Sequence, residues 1–479
     1  MAEEVTTAGP DEKPKEAPTA PEALGGPVVR AALILALGAF VALMDTTIVG
    51  VALHALSAHF GADLADVQWV SAAYLLAMAA LTPATSWAVE RFGAAASWTA
   101  SLCVFLAGSV LCGAAWSMGS LIAFRAVQGL GASMLFPLMR ILVVQLAGPE
   151  RMGRMMSLIA IPILVAPVIG PVVGGMVVQD LSWRWAFFLN VPIVVAVIVL
   201  SGVYLPNTRG QGASRLDVIG LLTMSGGLTT AIYGFSRLGA GKPVTDVQVF
   251  LPLLAAVLLL AAHGVGSRRS SAPIVDFGLF RNRPFTASTV ITLLNNFGLY
   301  GAVVLVPMFF QQAGGKDPLA AGTIMVAQGI GAAVAVLIVG RLIDAKSNPR
   351  ALVLVGLLLV AAGMTTFAMA GSASVNGLLL LALLLQGIGL ALTASPIMVT
   401  LYHSLPLPSM PAATTANAIS QQLGGAIGTT VIALLLQHYL SSDGDVTSAF
   451  QSVFWWSLGF VALTVVPALF LPSGQSKRA

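Results

Sequence analysis

Residues 30–54 read RAALILALGAFVALMDTTIVGVALH. Between Arg30 and His54 the only ionisable side chain is Asp45. A run this long and this apolar meets the roughly 20 residues that a helix needs to cross a bilayer. A carboxylate inside such a run is costly to bury, so Asp45 is a functional candidate from the start.

The rest of the chain extends the pattern. Of 479 residues, 57% are hydrophobic and 9% charged, and the mean hydropathy is +0.91. Soluble domains carry roughly 25% charged residues. Too few charges are present to cover a soluble surface, which excludes a cytosolic enzyme or a secreted globule. The net charge of +4 suits basic inner loops and does not point to nucleic acid. The two cysteines, Cys103 and Cys112, lie nine residues apart in one apolar run. On a helix that spacing puts them on opposite faces, too far apart for a disulfide or a shared metal.

Fourteen spans are expected, at about 30–54, 67–88, 97–116, 119–142, 155–179, 184–205, 217–236, 248–267, 285–310, 319–343, 350–371, 376–402, 413–440 and 449–471. The expected fold is an all-α polytopic membrane protein. With the termini inside, seventeen of the 23 Lys and Arg fall in inner loops and tails, and three (Arg237, Lys242, Lys316) in outer loops. The other three, Arg125, Arg140 and Arg184, lie in or at the ends of spans. The positive-inside rule therefore places both termini in the cytoplasm. The N-terminus is acidic and reads as a disordered tail, not a cleavable signal peptide.

The chain repeats itself. Arg125-x-x-Gln128-Gly129-x-Gly131 in span four matches Leu383-x-x-Gln386-Gly387-x-Gly389 in span twelve, 258 residues later. Ala166 and Gly170 in span five match Gly424 and Gly428 in span thirteen at the same offset. Glu90, after span two, matches Asp344, after span ten, at an offset of 254. The expected organisation is a tail (1–28), a six-helix bundle (29–206), two linker helices (207–270), a second six-helix bundle (271–472) and a short tail (473–479). Parallel six-helix repeats imply a transporter with its site between the halves.

Asp45 is the one deep acidic residue and Arg125 the one deep basic residue. Asp45 lies nine residues from the outer end of its span and Arg125 about seven, or ~13 and ~10 Å. At matched depth they either form a static ion pair or share a working pocket. Leu383 at the repeat position of Arg125 argues for function, because that helix does not need an Arg in order to fold. Burial disfavours a charged carboxyl and a nearby guanidinium favours it; alternation between such environments is what a proton carrier requires. Asp45 is therefore expected to exchange the proton, with Arg125 and Gln128 modulating it.

Span five carries Pro167, Gly170, Pro171, Gly174 and Gly175, a set expected to kink the helix, pack it closely and act as a hinge between the halves. Gln68, Tyr74, Met78, Asn296, Tyr300, Asn417 and Gln421 are candidates for the wall of a substrate cavity, with helix-packing glue as the plainer alternative. Glu90, Arg91 and Asp344 are candidates for a cytoplasmic gate. His263, His403 and His438 show no metal-ligand spacing. No phosphate-binding loop and no nucleophile–base pair stand out, so neither ATP drive nor an enzyme is expected.

These residues carry a resemblance. Met44-Asp45-Thr46-Thr47-Ile48-Val49-Gly50-Val51-Ala52-Leu53 resembles the first-helix motif of the fourteen-span drug:proton antiporters of the major facilitator superfamily. Arg125-x-x-Gln128-Gly129-x-Gly131 resembles the superfamily's fourth-helix motif. Gly170-Pro171-x-x-Gly174-Gly175 resembles the antiporter motif of helix five. Trp183-Arg184-Trp185-Ala-Phe-Phe-Leu-Asn190-Val-Pro192 and Asp276-Phe-x-Leu-Phe280-Arg-Asn-Arg-Pro284-Phe285 are similar to the approaches to helices six and nine. The likeness covers about residues 30–470.

Three departures stand out. Gly50 and His54 replace the usual Asn and Pro. The loop after span two has Glu90 for Asp and lacks its starting Gly and trailing basic pair, leaving Glu90 and Arg91 to carry what remains of the gating latch. Spans seven to fourteen hold no deep carboxylate. The resemblance implies a bacterial cytoplasmic-membrane exporter of antibiotics or toxicants, driven by the proton gradient without a cofactor or metal. Its expected partners are a small-molecule substrate, protons and lipid, and it is expected to act as a monomer. The single deep carboxylate suggests neutral or monocationic substrates. A metabolite exporter, a proton symporter or a non-transporting receptor remain the alternatives.

Overall fold

A computed structural model of the chain describes residues 26–473, except 63, 148–151, 207–209, 211–215, 268–276, 317, 345–347, 372–375, 407–408 and 443–444. The terminal segments 1–25 and 474–479 lie outside the described residues, and so do the expectations that fall on them. Among the described residues the regular structure is helical throughout. Lipid offers no partner to backbone N–H and C=O groups, and a helix satisfies them internally.

The N-terminal helices are α1 (Gly26–Phe60), α2 (Leu64–Leu81), α3 (Thr85–Phe92), α4 (Ala94–Gly113), α5 (Met118–Ala132), α6 (Leu135–Ala147), α7 (Met152–Asp180), α8 (Trp185–Phe188) and α9 (Asn190–Tyr204). The linker pair is α10 (Val218–Gly239) and α11 (Val247–Ser267). The C-terminal helices are α12 (Arg283–Met308), α13 (Pro318–Ile324), α14 (Val326–Asp344), α15 (Pro349–Ala368), α16 (Gly377–His403), α17 (Met410–Ser442) and α18 (Val446–Ala468). Thirteen helical stretches among the described residues are long and apolar enough to cross a membrane. The fifth expected span is α7, a continuous helix of 29 residues, many of whose side chains lie outside the described set.

Spans two and four are each broken in two, which the hydropathy pattern does not reveal. Pro83 sits in a tight turn over Thr82–Ala84 between α2 and α3. The break between α5 and α6 falls at Ser133 and Met134. Irregular backbone at membrane depth needs substitute partners. The Thr82 hydroxyl donates to Met78 O (2.7 Å) and reaches Ser133 O (3.1 Å), tying the two breaks together.

The packing falls into two bundles. One buried core draws on Ala32 to Val197 and a second on Ala287 to Leu471. Helices α10 and α11 pack on each other, and α10 also lies against α2 and α17, bridging the bundles. The bundles meet along α7 and α14. They also meet through an apolar cluster that includes Val144, Val339, Leu401, Phe285 and Met410. Those residues lie within the last two turns of α6, α14 and α16 and the first turns of α12 and α17, so the seam sits at one end of the molecule. The apolar cluster near the other end, including Val49, Leu56, Val67 and Phe187, draws among the described residues on the N-terminal bundle.

Candidate functional site

Local sequence places each member of the site. Ser117 caps α5 and Ser120 answers it, the two hydroxyls accepting from each other's backbone N–H at 3.1 and 3.0 Å. The reciprocal cap sets where α5 starts. Arg125 and Gln128, three residues apart, then share one face. Arg184 donates to Gly113 O and Ala115 O, both at 2.8 Å, where α4 ends. That clamp is followed by the short turn α8, and it brings Phe187 and Asn190 over the bundle interior.

The centre is a closed polar cluster. Arg125 Nη1 donates to Asp45 Oδ2 at 2.6 Å and to Gln128 Oε1 at 2.7 Å. Arg125 Nε donates to Val70 O at 3.1 Å. Asp45 Oδ1 accepts from Gln128 Nε2 at 2.9 Å and from Asn190 Nδ2 at 2.7 Å. Gln128 Nε2 also reaches Ser109 Oγ at 2.7 Å. The Tyr74 ring lies under the guanidinium, 4.1 Å from its centroid, and the Tyr74 hydroxyl donates to Ala42 O. Asp45, Gln128 and Asn190 are 0% exposed and Arg125 is 1% exposed, so the cluster is shut off from solvent. Desolvating two charges costs several kcal/mol each, and only close geometry with further hydrogen bonds offsets it. Both conditions are met here.

Helix α7 backs this cluster through its glycines. A Cβ at Gly170 would collide with the Thr47 side chain, and one at Gly174 would come within 3.2 Å of Ile48 Cα. Thr47 and Ile48 follow Asp45 on α1, so α7 presses on the turn that carries the carboxylate. A Cβ at Gly175 would meet no atom within 4 Å among the described residues. The side chains of Pro167 and Pro171 lie outside the described set. The expected kink is not a break, because α7 runs through both prolines as one helix.

The remaining candidates scatter. Tyr74 was expected in the cavity wall; it is 1% exposed and lies beneath Arg125. Its cation–π contact accounts for that position. Gln68 is exposed, Met78 and Asn296 are half-buried, and Tyr300 is 46% exposed. Asn296 donates to Thr292 O within its own helix. Asn417 is buried and its amide nitrogen faces Met398 Sδ at 3.8 Å. Gln421 accepts from Arg140 Nη2 at 3.3 Å, and Gln422 Nε2 donates to Thr82 Oγ1 at 3.0 Å. Both bonds join the two bundles. Glu90 and Arg91 are exposed, and Gly210 packs on their backbone carbonyls. The side chain of Asp344 lies outside the described set.

Sequence reasoning missed Asn190, Ser109, Arg140 and Gln422. Asn190 stood inside a quoted motif, and its polarity in an apolar run was a usable signal. Arg140 was visible as a basic residue near a span end. Nothing local marked Ser109 or Gln422. Among the described residues no group of three or more His, Cys, Asp or Glu side chains could hold a metal ion.

A sequence model described as the Major Facilitator Superfamily matches residues 35–429 and 288–479. The Multidrug resistance protein B homolog of Mycobacterium tuberculosis (strain ATCC 25618 / H37Rv) is 31% identical over 500 residues, covering 96% of this chain and 92% of that protein. The Multidrug export protein EmrB of Haemophilus influenzae is 28% identical over 413 residues, covering 86% and 81%. A double Trp mutant of XylE superposes with a TM-score of 0.68 at 14% identity, over 94% of this chain and 97% of that one. The human organic anion transporter MFSD10 (TETRAN) superposes with a TM-score of 0.66 at 15% identity, over 92% and 99%. These two structures share the fold.

Proposed function

The chain belongs to the major facilitator superfamily, and on that premise we propose that it is a proton-coupled efflux transporter. It exports small, hydrophobic compounds, antibiotics among them, across the bacterial cytoplasmic membrane in exchange for protons. Relatives named for multidrug resistance and export support efflux. Their names and the superfamily describe transporters, and the chain is one of these rather than an enzyme.

The observation that carries proton coupling is the sealed pair of Asp45 and Arg125. It holds the sequence's one deep carboxylate, and its charges balance only while that carboxylate is ionised. A proton taken by Asp45 makes a neutral acid, and Arg125 loses its counter-charge. Gln128 Oε1 and Val70 O remain as acceptors for the guanidinium. Asn190 and Gln128 both donate to one carboxylate oxygen. Protonation therefore disturbs α1, α5 and α9 together, and through Thr47 and Ile48 it reaches α7, which lies along the seam between the bundles. The proton gradient supplies the drive, and no cofactor is involved.

With both termini cytoplasmic, the seam through Val144, Val339, Leu401, Phe285 and Met410 closes the cytoplasmic end. Arg140–Gln421 and Thr82–Gln422 brace that closure nearer the middle of the membrane. A closed cytoplasmic end belongs to the outward-facing state, in which substrate leaves and a proton enters. One chain supplies both walls, so a single copy suffices.

The test is compound-triggered proton movement in sealed proteoliposomes, with wild type beside Asp45→Asn and a panel of antibiotics and lipophilic cations. Proton release from acid-loaded vesicles that needs both compound and Asp45 is the expected result. Compound uptake indifferent to pH and to Asp45→Asn would overturn the coupling and favour facilitated transport.

A further inference from the structure

The C-terminal bundle contains an uncharged counterpart of the ionic cluster, and the packing of glycines fixes the correspondence residue by residue. A Cβ on Gly129 would strike the Tyr74 carbonyl, and one on Gly387, 258 residues later, would strike the Gln328 carbonyl. A Cβ on Gly108 would strike Gln128, and one on Gly363 would strike Gln386. A Cβ on Gly170 would strike Thr47, and one on Gly428 would strike the Phe297 carbonyl. Gln328 therefore stands for Tyr74, Met364 for Ser109, Gln386 for Gln128 and Asn295 for Asp45. Leu383 stands for Arg125.

The two clusters differ in how their polar atoms are satisfied. In the N-terminal bundle Gln128 bonds to Asp45, Arg125 and Ser109. Gln386 is 1% exposed, and neither its amide oxygen nor its amide nitrogen has a partner among the described residues. Gln328 is 8% exposed, and its amide nitrogen is likewise without one. A buried amide without a hydrogen bond has lost its water and gained nothing in return, so three such atoms around one space call for a polar occupant. The space exists. Asn295, Gln328, Gln386, Met364 and Ser457 are among the residues that line a cavity of about 30 Å³. A water needs roughly 10–15 Å³ of such space, so the cavity has room for about two waters or one functional group. Among the described residues no charged side chain lines it.

We infer that Gln386, Gln328 and Asn295 form a binding pocket for a small uncharged hydrogen-bonding group. Its source is either water or the hydroxyl, carbonyl or amide of a neutral solute. Gln386 offers a donor and an acceptor and Gln328 a donor, a set that matches such groups. A fixed charge would find no counter-ion here. The two bundles thus divide the polar chemistry: the N-terminal one handles charge, the C-terminal one takes neutral ligands. The pocket is independent of transport direction and of proton coupling, so its test stands or falls apart from theirs.

The test is radiolytic hydroxyl labelling of the full chain in lipid nanodiscs, read by mass spectrometry. Met364 lines the pocket and is 2% exposed, while Met155 lies in an apolar core at 0%. A water bound in the pocket makes Met364 react several-fold faster than Met155, because the radical forms beside it. Gln386→Leu with Gln328→Leu removes that excess and lowers the melting temperature. Gln386→Asn, which keeps the amide, retains part of the excess. Excess acetamide that protects Met364 assigns a solute group as occupant; acetamide without effect assigns water. Acetate and methylammonium, similar in size but charged, do not protect. Equal labelling of Met364 and Met155 overturns the inference, as does a higher melting temperature in the double Leu variant or protection by either ion as strong as by acetamide. Wild-type labelling decides the matter even if the Leu variant fails to fold.

Discussion

Arg125 Nη1 and Asp45 Oδ2 lie 2.6 Å apart across the junction of α5 and α1, and neither side chain is reached by solvent. Each is the other's counter-ion, so the effect of removing one depends on whether the other remains. Asp45→Ala leaves a buried guanidinium and is expected to cost about 3–5 kcal/mol of stability. The double variant Asp45→Leu with Arg125→Leu removes both charges, as Leu383 does in the C-terminal bundle. It is expected to recover most of that loss while abolishing compound-driven proton movement. Thermal unfolding of the three proteins in nanodiscs, run beside the proteoliposome assay, checks both halves of the statement.

Asn190 donates to Asp45 Oδ1 at 2.7 Å from a helix that no sequence repeat had linked to the site. A hydrogen bond to a charged group contributes roughly 1.5–3 kcal/mol. Asn190→Leu is expected to lose about that much through the carboxylate's lost donor. In a background of Asp45→Leu with Arg125→Leu the same change should cost far less. A double-mutant cycle on unfolding free energies measures the difference, and equal costs in the two backgrounds would contradict the contact.

Gly170 and Gly175 belong to one motif but meet different surroundings. A Cβ at Gly170 collides with Thr47, whereas one at Gly175 meets none of the described residues. Gly170→Val is expected to push α7 off the turn carrying Asp45, with a cost of about 1–3 kcal/mol and loss of transport. Gly175→Ala is expected to leave both nearly unchanged. Initial export rates normalised to folded protein in the membrane separate the two.

Gln422 Nε2 bonds to Thr82 Oγ1 at 3.0 Å, bracing one bundle against the other. Gln422→Leu removes the brace and is expected to shift the molecule toward opening at the seam. Ala416, 4% exposed within the seam cluster, provides the reporter. Labelling of an Ala416→Cys variant by a maleimide supplied from the cytoplasmic side should rise several-fold when Gln422→Leu is added. No rise would show that the apolar cluster alone holds the seam.

The sequence by itself determined the membrane class, the succession of spans and the pairing of Gln128 with Gln386. Each of these follows from local hydropathy or from a motif repeated along the chain, and neither needs knowledge of what packs against what. It also singled out Asp45 and Arg125, because an ionisable group inside an apolar run stands out whatever its neighbours. Only the tertiary structure brought those two into contact. Residues 80 positions apart on different helices meet through helix rotation and tilt, and side-chain packing sets both. The same packing put Tyr74 beneath Arg125 rather than in a cavity, added Asn190 and Ser109 to the cluster, and broke spans two and four where side chains could replace the lost backbone bonds. It also made the two glutamines unequal. Gln128 and Gln386 share a motif, but their surroundings come from other helices, so one is fully bonded and the other finds no hydrogen-bond partner among the described residues.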